Sequence, residues 1–204
     1  MGAAAVALIS GGCGDPGGAD VSQAGPRPEI SAVELDDVVL RTDEAPPGTE
    51  YLVERSGTLR VDELWPSDCC PGPQLSFEDA GFATAYARVF EMPGHSDDPI
   101  DTRPGWEEVS SAAVLFDTST GASEAMGEWL EYYDAPVLER LPTDGLGDEA
   151  VAVTGSPNAP TEVFYLYLWR IDRAVLALRV SVGAGSVTGE QVRELVDRMD
   201  ARVT

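Results

Sequence analysis

The 204-residue chain has no lysine, one asparagine (Asn158), one histidine (His95) and three cysteines, Cys13, Cys69 and Cys70. Each scarcity removes a class of chemistry. With a lone histidine and no second cysteine pair, a zinc site is disfavoured. Nucleophilic catalysis needs an activated Ser or Cys beside a base, and the chain offers no G-x-S-x-G elbow and only His95 as an imidazole. Positive charge is also sparse: 13 arginines face 36 acidic residues, for a formal charge of -23 and a pI near 4.1. Such a surface repels phosphate backbones and anionic headgroups, which disfavours nucleic acid and polybasic membrane docking. The missing lysine fits codon bias in a GC-rich genome. Excess carboxylate also suits salt tolerance, but an acidic secreted protein is the simpler reading.

Long apolar runs are missing too. Ala3–Ile9 is far short of the ~20 residues that span a bilayer, yet it suffices for the core of a signal peptide. Small residues then precede Cys13, so MGAAAVALISGGCG resembles a bacterial lipoprotein signal in which Cys13 is lipidated. Ser10 stands where that pattern has an aliphatic residue, and no basic residue occurs before Arg27. The alternative is an Ala/Gly-rich tail with an incidental cysteine, and a start codon upstream of Met1 would supply the missing basic segment. The Gly/Pro-rich stretch that follows has no apolar periodicity and reads as a tether. The sequence thus divides into a signal peptide at residues 1–13, a tether at 14–29 and one domain at 30–204. With 43% of its 204 residues hydrophobic, the chain can bury one substantial core.

Within the domain, SAVELDDVVL carries a Ser31-x-x-Glu34 capping box for a short helix, which Pro46 and the Pro47-Gly48 turn bring to a halt. YLVERSGTLRVDEL reads as a hairpin about Ser56-Gly57. Ser76 is a candidate cap. FATAYARVFE then alternates with period two, placing Ala83, Ala85, Ala87 and Val89 on one thin face. After the loop MPGHSDDPIDTRPGW comes the strand VSSAAVLFDT, and then a helix whose Ala122, Ala125, Met126, Trp129, Leu130 and Tyr133 recur at helical spacing. Strands follow at DEAVAVT, EVFYLYLWRI and AVLALRVSV. A closing helix with the stripe Val192, Leu195, Val196, Met199 and Val203 takes its capping box from Thr188 and Gln191. The last two strands are apolar at alternate and intervening positions alike, which implies burial on both faces. The expected class is α+β: a mainly antiparallel sheet covered by helices, as an α/β/α sandwich.

LRTDEAPPGTEY at 40–51, AGF at 80–82, LGDEAVAV at 146–153 and the apolar WR hairpin before the closing helix resemble secreted lipoproteins of high-GC Gram-positive bacteria. Some of those have an α/β/α sandwich similar to the Mog1 and PsbP proteins. The resemblance implies an anchored extracytoplasmic domain and supplies no catalytic residues.

The residues with chemical potential lie in loops. Cys69 and Cys70 in PSDCCPGP are left to each other if Cys13 is lipidated; a vicinal disulfide, free or intermolecular thiols, and a redox switch all stay open. His95, beside Ser96, Asp97, Asp98 and Asp101, offers a general base or a calcium loop, although the spacing is not that of an EF-hand and a solvated acidic loop accounts for it. Trp106, next to Pro104 and Gly105, is the aromatic placed for ligand or partner contact. Phe164, Tyr165, Tyr167 and Trp169 sit at strand spacing and read as core. GAGSVTG at 183–189 misses the dinucleotide fingerprint, with Thr188 where the third glycine belongs.

These features point to a surface-anchored, non-enzymatic lipoprotein on the outer face of the cell membrane. It binds a small ligand or an envelope protein, or serves as an accessory sensor, and needs no cofactor and no metal. A cofactor-free hydrolase built on the His95 loop is the rival.

Overall fold

The computed structural model describes residues 30–31, 34–64, 74–94, 104–132, 138–156 and 162–203. In chain order the elements are α1 (Leu35–Val38), a 3-10 turn (Thr42–Glu44), β1 (Glu50–Tyr51), a second 3-10 turn (Val53–Arg55), β2 (Gly57–Leu59), α2 (Val61–Leu64) and α3 (Gln74–Asp79). Then come β3 (Phe82–Glu91), β4 (Trp106–Phe116), α4 (Ser119–Tyr132), β5 (Glu139–Arg140), β6 (Glu149–Gly155), β7 (Glu162–Ile171), β8 (Ala174–Gly183) and α5 (Gly189–Asp200).

The strands form one eight-stranded sheet of order β1-β3-β4-β8-β7-β6-β5, with β2 also on β3, and every pairing is antiparallel. β8 lies at its middle, between β4 and β7. Alternation along β8 sends Leu176, Leu178, Val180 and Val182 to one face and Val175 and Ala177 to the other. The first face shares a cluster with Leu35 and Val38 of α1 and with Val192, Leu195, Val196 and Met199 of α5. The second shares one with Phe77 of α3 and with Ala122, Ala125, Met126 and Trp129 of α4. Within this second cluster the Phe77 ring stands edge-on to Phe116 at 5.8 Å and to Trp129 at 5.5 Å. Each large side chain buried this way contributes roughly 1.5–3 kcal/mol.

The expected boundaries of β3, β7 and α5 hold closely, and Thr188 and Gln191 form the reciprocal cap of α5. Four local expectations fail. The segments flanking Ser56-Gly57 do not pair with each other; both lie antiparallel on β3, because Ser56 turns inward, donating to the Leu52 carbonyl and accepting from the Val89 amide. Ser76 lies inside α3, which starts two residues earlier at Gln74. Ala83 is exposed where the β3–β4 register shifts, so the thin face is carried by Ala85 and Ala87. Trp106 does not stand in a loop: it opens β4, opposite Val182, and is 7% exposed in the core of the α5 face.

The motifs of the lipoprotein resemblance turn out to be junctions. In LRTDEAPPGTEY, Glu44 accepts from the Arg41 amide and pairs with Arg202, fastening the end of the chain. In AGF, the Gly81 carbonyl accepts from Asp117, and the Ala80 carbonyl lies where a Cβ on Gly121 would sit, so α4 can approach only with glycine there. In LGDE, the Asp148 amide donates to the Arg170 carbonyl and the Asp148 carboxylate accepts from Asp172, whose φ of 51° turns the β7–β8 hairpin.

Candidate functional site

Of the residues the sequence singles out, Cys13, Cys69, Cys70 and His95 lie outside the described residues. Trp106 is packed between strands and presents little surface. Phe164, Tyr165, Tyr167 and Trp169 are all buried, Phe164 on the α4 face and the other three on the α5 face. Burial holds the Tyr167 hydroxyl above its usual pKa, with Arg193 opposing and Tyr165 and Asp197 adding to the shift. The GAGSVTG turn is a connection: Ser186 donates to the carbonyls of Gly183 and Gly105, and Thr188 caps α5.

A different place stands out on the α4 face. Two residues separate the end of β4 from the start of α4, whose fourteen residues rise about 21 Å, while the eleven residues of β4 extend about 35 Å. By its length the helix falls short of the far end of β4. There the two central strands carry a polar block, Glu108 opposite Ser181 and Ser110 opposite Arg179, on the same face as Ala112, Val114, Val175 and Ala177. Glu91 joins from β3, in register with Glu108, and Arg55 reaches over from the second 3-10 turn.

The geometry is layered. Arg55 Nη1 donates to Glu108 Oε2 at 2.7 Å and to Glu91 Oε2 at 3.1 Å, and Arg179 Nη1 donates to Glu108 Oε1 at 2.5 Å. Glu108 is thus held through both oxygens by two guanidinium groups. Its side chain is 16% exposed and that of Glu91 26%, whereas Arg55 is 46% and Arg179 42% exposed. The carboxylates form the floor and the guanidinium groups face out. The Arg179 guanidinium also lies 5.7 Å from the centre of the Phe164 ring, a favourable cation–π separation. Burial pulls Arg55 toward a lower pKa, but the charges of Glu108 and Glu91 and their hydrogen bonds outweigh it and leave the group above its usual value. Two carboxylates in register on adjacent strands repel, and Arg55 cancels that repulsion.

Chemically this block can bind and orient. Ser110 and Ser181 have no imidazole among the described residues to activate them, and both oxygens of Glu108 are engaged by guanidinium groups. Among the described residues, no three His, Cys, Asp or Glu side chains gather to hold a metal ion, and no helix is long and apolar enough to cross a membrane. A signal for the block was present in the sequence: Arg179 and Ser181 are the polar i, i+2 pair in the apolar run AVLALRVSVG, and Glu108 and Ser110 repeat that spacing on β4.

No protein-family model matches the chain, and no curated protein does. Among solved structures it is similar to the extracellular domain of PknH from Mycobacterium tuberculosis, with a TM-score of 0.53 and 10% identity over 87% of this chain and 98% of that one. At that identity the likeness is one of fold.

Proposed function

We propose that this chain is an extracytoplasmic, non-enzymatic binding or sensor domain, held at the outer face of the cell membrane through Cys13, that engages a small ligand or an envelope partner at the polar block of β4 and β8. The observation that carries the reading is Arg179: a charged side chain on the central strand of the sheet that is 42% exposed. Sheet centres are ordinarily covered and apolar. Exposed ion pairs add only about 0–1 kcal/mol to stability, so the block does little for the fold. The similar PknH structure is an extracellular domain, which supports the extracytoplasmic placement. The helices on the two sheet faces support an α/β/α sandwich of the Mog1 and PsbP kind.

The test is amide chemical-shift mapping of the full chain against a library of small polar metabolites. Binders are expected to move Glu108, Ser110, Arg179 and Ser181 together. Binders that move only residues elsewhere would remove the site. A His95-dependent turnover of ester or peptide substrates, abolished in His95→Ala, would replace the reading with hydrolysis.

A further inference from the structure

We propose that the ligand group recognised at this block is an oxyanion, a carboxylate or a phosphate, gripped between Arg55 and Arg179; this rests on the block being the binding site. In a chain of net charge -23, a cationic ligand is the first expectation, and the layering argues against it here. The carboxylates lie beneath, where Glu108 and Glu91 are already engaged by guanidinium groups. The outward chemistry is donor chemistry.

Both arginines reach their carboxylates through Nη1, and neither Nε nor Nη2 of either residue bonds to a described residue. An arginine held at one nitrogen keeps a planar edge of N–H donors that matches a carboxylate or phosphate in bidentate fashion. Because the two Nη1 atoms sit on opposite oxygens of the single Glu108 carboxylate, the two groups are held close and their positions are coupled. Contact of Arg179 with the Phe164 ring further limits its rotation. Preorganisation of this kind lowers the ordering cost of binding. By contrast, Arg88 donates to the carbonyls of Asp36 and Leu40, and Arg202 to that of Val39, so those cations tie elements together instead of facing solvent.

Long-range repulsion from the acidic surface is screened beyond about 8 Å at physiological salt, which leaves the direct hydrogen bonds to decide. Selectivity should therefore be local.

The experiment follows the arginine Nε–Hε signals of the full chain in about 0.15 M salt during titration with inorganic phosphate, with succinate and with spermidine. Saturable shifts of Arg55 and Arg179 with phosphate or succinate are expected, and whichever anion saturates first names the group. Arg179→Gln should weaken that binding about tenfold or more, since charged hydrogen bonds are lost. Arg60→Gln, which removes an exposed arginine paired with Asp62 away from the block, should leave it unchanged. Equal weakening by both variants would reduce the effect to net charge and overturn the proposal. Shifts at the block with spermidine and not with the anions would overturn the oxyanion while keeping the site. Silence at the block with all three probes, together with library binders that map elsewhere, would remove both.

Discussion

At Glu44 the two ends of the described domain meet. Arg202 donates to its carboxylate and to the Val39 carbonyl, and the Arg41 amide donates to it at 2.7 Å. Burial works to raise the pKa of this carboxyl, but the hydrogen bonds from Arg202 and Arg41 and the charges of Arg202 and Arg198 overcome it and leave it below the usual value of 4.5. A depressed carboxylate stabilises the fold above its unfolded pKa, and that contribution is lost as the pH falls through the folded one. Glu44→Gln should accordingly cost about 1–2 kcal/mol at neutral pH. The gap to the parent should close as the pH drops below the usual value of 4.5, read from urea midpoints at several pH values. Gly147 makes a sterner demand. Its φ is 46°, and a Cβ there would lie 2.3 Å from the Arg170 carbonyl oxygen, which already accepts from Asp148. Gly147→Ala should destabilise by about 2–4 kcal/mol through overlap and a disfavoured φ. An unchanged midpoint would show that the LGDE junction does not hold the β7–β8 hairpin.

Among the elements, α5 is where sequence and structure agree most fully. Its stripe of Val192, Leu195, Val196 and Met199 is buried, and Thr188 accepts from the Gln191 amide while Gln191 accepts from that of Thr188. Thr188→Ala should cost about 1 kcal/mol in thermal or urea unfolding, with α5 amides exchanging faster than those of β8. Helical periodicity and caps are local properties, so a window of residues contains them. The segment around Ser56-Gly57 shows the opposite case. Nothing in residues 50–59 tells that their hydrogen bonds go to β3, because the Val89 amide that donates to Ser56 and the Val89 carbonyl that accepts from Leu52 are more than thirty residues away. Trp106 failed for a similar reason: Pro104 and Gly105 mark a turn correctly, but Val182 across the ladder draws the next residue into the strand.

At the scale of the whole molecule, the proposed lipidation at Cys13 is tested separately from the polar block. Cys13 and the Gly/Pro-rich stretch after it precede the first described residue, Ile30, which is packed in the core of the α5 face. Palmitate labelling of the expressed full chain is expected to be lost in Cys13→Ser; persistent labelling would send the membrane attachment elsewhere. Thiol counting on protein from oxidising medium tests the pairing of Cys69 and Cys70, and two free thiols there would remove both the vicinal disulfide and the switch. The polar block belongs to this scale as well, because it is assembled from β3, β4, β8 and the second 3-10 turn.

What the sequence by itself determined was charge, the periodicities of the long strands and of α4 and α5, the cap at Thr188 and the two-sided burial of β7 and β8. Each is a function of residues within one turn or one strand. Tertiary structure alone decided the strand order, the burial of Trp106 and the gathering of Arg55, Glu91, Glu108 and Arg179, residues spread over 125 positions of chain. Their convergence depends on register between β3, β4 and β8, and register is set by the packing of both sheet faces at once.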